Sequence, residues 1–367
     1  MPISAVDSVS LAFEHTKKQL FQPFRFVQWI KLAIVGLLAG ELGSGGFNGS
    51  NFNFPHKPGA ASHSPFPHFP GIDIAVLAGL IAVVVVAAFA IGIILMYISS
   101  VMRFILFDSI LAKECHIRDF WSRRQGPGWR YFLWKLLYAL VTFAVLIVLV
   151  GIPAGFAFAV GWFHAPSQHL LPLVLAGIAL FFVLLIFFLT TAIIFVLTKD
   201  FVVPQMALEG IGAIEGWRRL WAMIAAEKGG YAGYIGMKIV MAIGAGILVG
   251  IATLILGLII AIPTVGLSIL AVLTGKTAGL TWNAYTITLA IVVGSILLAI
   301  FLFMIALISV PVIVFFPAYS IYFFAARYPA LGAMIYPRAQ PALAPFPAPT
   351  VPPPQPPPLP PAPEPAG

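Results

Sequence analysis

Three acidic residues stand against long apolar stretches of this chain: Glu41, Asp108 and Asp200. A carboxylate in that setting can pair with a cation, carry a proton or hold a coupling ion, because ionisable groups are expensive inside a membrane. Asp108 and Asp200 lie beside Arg103 and Lys199 and read as interface ion pairs. Glu41 lies near the outer end of a short apolar run and is the more exceptional of the three. Three lysines, Lys31, Lys135 and Lys238, each sit just inside the start of an apolar run, at spacings of 104 and 103 residues. Trp217-Arg218-Arg219 joins an aromatic ring to two cations, a combination suited to a membrane interface with anionic headgroups. These nine positions are the candidate functional or interface residues.

Other chemistry is thin. His56, His63, His68, His164 and His169 could each supply an imidazole to zinc or copper. Their spacings of seven and five lack the four-residue helical step, and Asp73 is the one acid near them, so no metal site and no cofactor is expected. Cys115-His116 has no third partner in view, and a single cysteine permits no intramolecular disulfide. No phosphate loop, nucleophile elbow, kinase signature or dinucleotide fingerprint occurs. No catalytic residue is assigned, and the expectation is a protein that is not an enzyme.

The elements that would position the nine residues follow from composition. Hydrophobic residues make up 61% of the 367 positions and charged residues 9%, against about 25% charged in a soluble domain. Such a chain needs lipid as solvent. Its net charge of +8 then reports topology and anionic lipid, with no nucleic acid implied. Six candidate spans are read: Trp29–Gly43, Ile72–Ile110, Tyr131–Phe163, Leu170–Leu197, Tyr231–Pro263 and Ala284–Phe324. The first is short and the second and sixth are overlong, with Pro311 and Pro317 available as bends. Continuous apolar runs favour helices over the alternating pattern of a β-barrel.

Eighteen of the twenty lysines and arginines fall in or beside the N-terminus, the segments 111–130 and 198–230, and the C-terminus. Lys57 and Lys276 fall in the other loops. The positive-inside rule then puts both termini in the cytoplasm of a plasma membrane. The first span would act as its own signal, since Met1–Leu20 lacks a cleavable signal pattern. Phe26–Lys31, Tyr131–Lys135 and Tyr234–Lys238 resemble one another, and the returning spans end in Phe104–Asp108 and Phe195–Asp200. The fold expected is therefore all-α, with six transmembrane helices in three repeated hairpins, each preceded by an amphipathic interfacial helix. The amphipathic stripes are Val6, Val9, Phe13 and Leu20; Ile117–Arg124 around Phe120 and Trp121; and Ile211, Ile214, Trp217, Trp221 and Ile224 within Pro204–Lys228. Gly36-x-x-x-Gly40 and Gly246-x-x-x-Gly250 allow close helix approach.

The domains follow: a cytoplasmic segment 1–28, a membrane domain 29–326 and a tail 327–367. An irregular outer loop occupies 44–71. Fifteen prolines in Pro337–Pro365 make the tail a disordered, proline-rich segment.

One pattern recurs: an acid closing a span, a Trp followed by basic residues, and a glycine before an aromatic restart. It reads Asp108, Trp121-Ser122-Arg123-Arg124 and Gly128-Trp129-Arg130-Tyr131, then Asp200, Trp217-Arg218-Arg219 and Gly230-Tyr231. This resembles the bacterial multi-pass proteins related to the membrane domain of glycerophosphoryl diester phosphodiesterases, over roughly residues 5–330. In that family the catalytic acids belong to a separate soluble barrel, so the resemblance brings no catalytic residue. It implies a location in the bacterial inner membrane. The expected function is a non-enzymatic scaffold or accessory of the envelope. A second reading is a channel or carrier for an uncharged or amphipathic solute, and a third is a lipid-active membrane enzyme. The expected partners are anionic membrane lipids at the cytoplasmic face, a second copy of the chain, or an unidentified protein.

Overall fold

The computed structural model describes residues 4–41, 74–164, 166–277 and 284–336. These are helical almost throughout, with no strand among them. The helices are α1 (Ala5–Phe21), α2 (Phe26–Ala39), α3 (Ile74–Ala112), α4 (Ile117–Ala159), α5 (Leu170–Leu197), α6 (Val203–Glu209), α7 (Ala213–Ala226), α8 (Lys228–Thr277), α9 (Ala284–Ile308), α10 (Val310–Ala325) and α11 (Pro329–Ile335). A π turn, Thr198–Val202, joins α5 to α6 without a break. Five helices are long and apolar enough to cross a membrane, or six if the pair α10–α11, bent by 115°, counts as one span. The chain is thus a multi-pass membrane protein by the length and composition of its helices.

Burial is uneven along these helices, and the unevenness locates the core. On α3, Val83 and Phe89 are 68% and 70% exposed, whereas Phe104, Ile105 and Leu106 are fully buried. The same change occurs from the outer part of α5 to the π turn, all five of whose residues are buried. The core gathers the last turns of α3, the π turn, α6, the first turns of α8, and α10. Phe201 stands at its centre, with ring centroids of Tyr234 at 4.9 Å, Phe324 at 5.1 Å, Tyr231 at 5.4 Å and Phe323 at 5.9 Å. We call this the basic end of the molecule, since most of its lysines and arginines lie there.

Several sequence expectations change shape. The first candidate span is α2, whose 14 residues rise about 21 Å, less than the ~30 Å hydrocarbon layer. It lies antiparallel along the end of α3: Gln28 donates to the Lys113 carbonyl at 2.7 Å, and Arg25 faces Glu114 at 3.4 Å. Gly36 lets α2 pack closely on α10 as well, because a Cβ there would overlap the Ile313 side chain. Gly250, of the other glycine pair, meets nothing within 4 Å. Gly40 ends α2 in the left-handed region at φ 79°.

The segment expected as an elbow at 111–130 is mostly helix, since α4 starts at Ile117 and runs through Pro127. The segment Pro204–Lys228 is two helices, broken at Gly210 with φ 67°. The face of α7 turned into the protein is Ala213, Gly216 and Leu220, while Ile214 and Trp221 are 76% and 67% exposed. On α1 the buried face includes Ser8, His15, Thr16, Gln19 and Leu20, and Val6 and Phe13 point outward. Each stripe is split: Leu20 is buried and Val9, Trp217 and Ile224 pack against the core, while Val6, Phe13, Ile214 and Trp221 face outward. The sixth candidate span divides at Ser309, with Pro311 in the first turn of α10, and Pro317 stays within that helix. The loop 44–71 and the segment Pro337–Pro365 lie outside the described residues.

Candidate functional site

The convergence of α2, α3, the π turn and α8 brings five charged side chains together inside the basic end. Glu41, one residue beyond Gly40, places one carboxylate oxygen against Arg103 and the other 2.5 Å from Lys199 Nζ. Arg103 also stands 3.8 Å from Asp200 and donates to the Lys199 carbonyl at 3.4 Å. Asp200 Oδ2 accepts from Lys238 and from the Tyr234 hydroxyl, the latter at 2.9 Å. The chain of contacts is therefore Lys199–Glu41–Arg103–Asp200–Lys238, with charges alternating in sign. No member has a side chain more than 12% exposed.

The local backbone explains why two adjacent residues both turn inward. Lys199 and Asp200 sit in the π turn, where one extra residue widens the helix, a feature frequent at functional sites. Tyr234 covers the cluster, stacked on Tyr319 with centroids 4.9 Å apart. Burial of so many charges is tolerable only with close partners, because each loses its water. Lys135 stands beside the cluster, donating to Ser99 Oγ at 3.3 Å and lying 5.6 Å from the Tyr131 ring. Lys238 has the same relation to Tyr234, at 5.7 Å.

The nine candidates thus separate. Glu41, Asp200 and Lys238 join in one cluster, with Lys135 at its margin. Glu41 is not at an outer end: it meets Arg103 and Lys199, residues expected on the opposite side. Asp108 does not pair with Arg103; it receives a bidentate contact from Arg124, at 2.6 and 2.7 Å. Asp200 pairs with Lys238 and Arg103, while its neighbour Lys199 turns to Glu41. Lys31 donates to the Cys115 carbonyl at 3.4 Å, away from the cluster. Trp217 donates to Thr198 Oγ1 at 3.0 Å, anchoring α7 on the π turn. Arg218 faces Glu215, and Arg219 bridges Glu209 and Glu215.

Sequence reading missed Arg103 as the hub and Tyr234 as a ligand of Asp200. The repeated Tyr-x-x-x-Lys at 131–135 and 234–238 was the available signal. It also missed two contacts outside the long helices. His15 Nδ1 lies 3.0 Å from the Tyr322 hydroxyl and Nε2 lies 3.2 Å from Gln19 Oε1, docking α1 on α10. Burial, and then the Lys113 charge, lower the pKa of this imidazole. Glu227 receives both arms of Arg327 at 2.7 and 2.8 Å, which holds its carboxyl below the usual range. Among the described residues no three His, Cys, Asp or Glu side chains gather as a metal site.

The arrangement can clamp helices, and among the described residues of the cluster no nucleophile is aligned with a base. No curated protein and no solved structure matches the chain. Residues 3–334 do match a family model, and the chain belongs to that family, a family of unknown function, DUF7544.

Proposed function

We propose that the protein is a non-enzymatic scaffold or accessory of a bacterial inner membrane with both termini in the cytoplasm, built from three related units, the first of which has the short α2 in place of a full span. The observation that supports this most is the closed state of the charged cluster. Its acids, Glu41 and Asp200, have side chains 0% and 1% exposed. An ion-coupling or solute-handling site would present such groups to a passage, whereas here they tie four segments of chain together.

Helix lengths support the placement. Beyond Lys135, α4 continues over residues 136–159, about 36 Å. The 28 residues of α5 rise about 42 Å. Each exceeds the ~30 Å hydrocarbon layer. The cluster therefore belongs at the cytoplasmic surface, where the positive-inside rule puts the basic residues. The matched Tyr131–Lys135 and Tyr234–Lys238 contacts support the repeat. Exposed Ile214 and Trp221 flank Arg218, whose side chain is 79% exposed, a surface suited to anionic headgroups or a protein partner.

Reporter fusions at Lys57, Lys276 and Gly367 test the topology; a periplasmic report from Gly367 would overturn it. The role is tested by purifying the full chain after cross-linking in cells. A reproducible protein partner with no change in membrane lipids is expected. Protein-dependent flux of an uncharged solute into proteoliposomes would overturn the scaffold reading.

A further inference from the structure

The charges of the buried cluster do not sum to zero. Arg103, Lys199 and Lys238 stand against Glu41 and Asp200, and Lys135 lies at the margin. A buried excess of positive charge favours an anion. Two of the cations are also arranged as a cradle. Arg103 and Lys199 hold the two oxygens of one carboxylate, a guanidinium and an ammonium converging on neighbouring oxygens as they would on a phosphate.

The carboxylate in that cradle is attached differently from the rest of the cluster. Arg103 and Lys238 belong to the long helices α3 and α8, and Lys199 and Asp200 to the π turn that continues α5. Glu41 follows the last turn of α2 across a left-handed glycine, Gly40. A second access to the same two cations exists. A narrow cleft of about 10 Å³ is lined by Arg103, Lys199, Ser320, Pro204 and Pro317, between α3, α6 and α10. That volume suits one water-sized group, such as a single anionic oxygen.

We propose that Arg103 and Lys199 form a binding site for a phosphate-bearing anion, with the Glu41 carboxylate as its resident competitor. The phosphate is either that of an anionic lipid headgroup or free in solution, and the chemistry of the cradle is the same for both. When it binds, Glu41 leaves the cradle and the end of α2 is released. This holds whether or not the scaffold reading does, since it concerns one site and not a cellular role.

The test uses the full chain in a neutral detergent and reads thermal unfolding. Glu41→Gln keeps the shape of the side chain and removes the competing charge. Its midpoint should fall below that of the wild type and recover on adding inorganic phosphate or phosphatidylglycerol. The concentration for half recovery should be at least about tenfold below that which shifts the wild type, a difference readily resolved in titration. Recovery by phosphate identifies a free anion as sufficient, and recovery by the lipid alone assigns the headgroup. Glu41→Gln combined with Lys199→Met should lose the response. If Glu41→Gln does not fold, Glu41→Ala, which also removes the competing carboxylate, takes its place in the same comparison. An equal response with and without Lys199, an equal response to chloride, or no response in the Glu41 variant that folds would each overturn the proposal.

Discussion

Asp200→Asn removes one charge from the cluster with almost no change of shape. In the wild type Asp200 accepts from Lys238 and Tyr234 and faces Arg103 at 3.8 Å. Tyr234 can still donate to the amide oxygen. Lys238, with its side chain 12% exposed, loses the carboxylate it meets. Breaking a buried pair by removing one partner costs about 3–5 kcal/mol, because the other charge stays buried. At about 2–4 °C per kcal/mol, this lowers the unfolding midpoint by roughly 6–20 °C. Cys115 is the single cysteine and is 4% exposed, so a fluorogenic thiol dye reports unfolding of the detergent-solubilised chain. The cycle with Lys238→Met separates pairing from packing. The double variant should be more stable than the summed effects predict, by about 0.5–3 kcal/mol. A midpoint for Asp200→Asn within error of the wild type, or two effects that simply add, would refute the reasoning.

Other consequences are as direct. Gly128→Ala would bring a Cβ within 2.6 Å of Val101 Cγ2 and 3.2 Å of Val101 Cα, while Gly126 has nothing within 4 Å. The first should cost about 1–3 kcal/mol by overpacking α4 on α3, and Gly126→Ala, measured in parallel, should not destabilise. His15 has a lowered pKa, so the unfolded chain binds its proton more readily and stability falls as pH drops below the ordinary imidazole value of 6.5. His15→Gln should flatten the midpoint between pH 7 and 5. Glu227 also has a lowered pKa, through Arg327, and its contribution is present above the ordinary glutamate value of 4.5 and lost as pH falls through the lowered one. Glu227→Gln should therefore weaken the protein at neutral pH and reduce its acid sensitivity, and a pH series of midpoints distinguishes this window from that of His15.

What could be read from the sequence was the part set by solvent. Long uncharged runs have one stable form in lipid, so α3, α4, α5, α8 and α9 were legible as helices. Asp200 and Lys238 could be picked out because each is a charge beside such a run. Their partnership could not, because it depends on the π turn, which no local residue pattern in 198–202 announces. Glu41 was picked out for the same reason and placed wrongly. Its position depends on how far α2 travels, and a run that is apolar over residues 32–39 looks the same whether it crosses a membrane or lies along α3. The α1 and α7 stripes were legible as amphipathic, but how each divides between core and surface was not. A helix between lipid and a polar seam can bury its serines and glutamines and expose its phenylalanines, so periodicity finds the two faces without saying which is inward.

The burial of polar side chains bears on how the bundle holds together. Between lipid-exposed helices there is no hydrophobic gain from association, since an acyl chain is as apolar as a leucine. The outer parts show the consequence: Leu171 and Leu248 are 72% and 71% exposed. One polar contact there, Tyr138 donating to the Thr191 carbonyl at 2.8 Å, links α4 to α5. At the basic end the attachments differ in kind. Glu41 joins α2 to α3 and the π turn, Asp200 joins the π turn to α8, Arg124 joins α4 to α3 and α6, and His15 joins α1 to α10. Each is polar, directional and specific to particular partners, which leucine packing in lipid is not. The order of the helices around the bundle is therefore encoded by a few charged and aromatic side chains at one end. The long apolar segments can vary in sequence with little effect on assembly, whereas a single neutral substitution in the clasp loosens several helices at once.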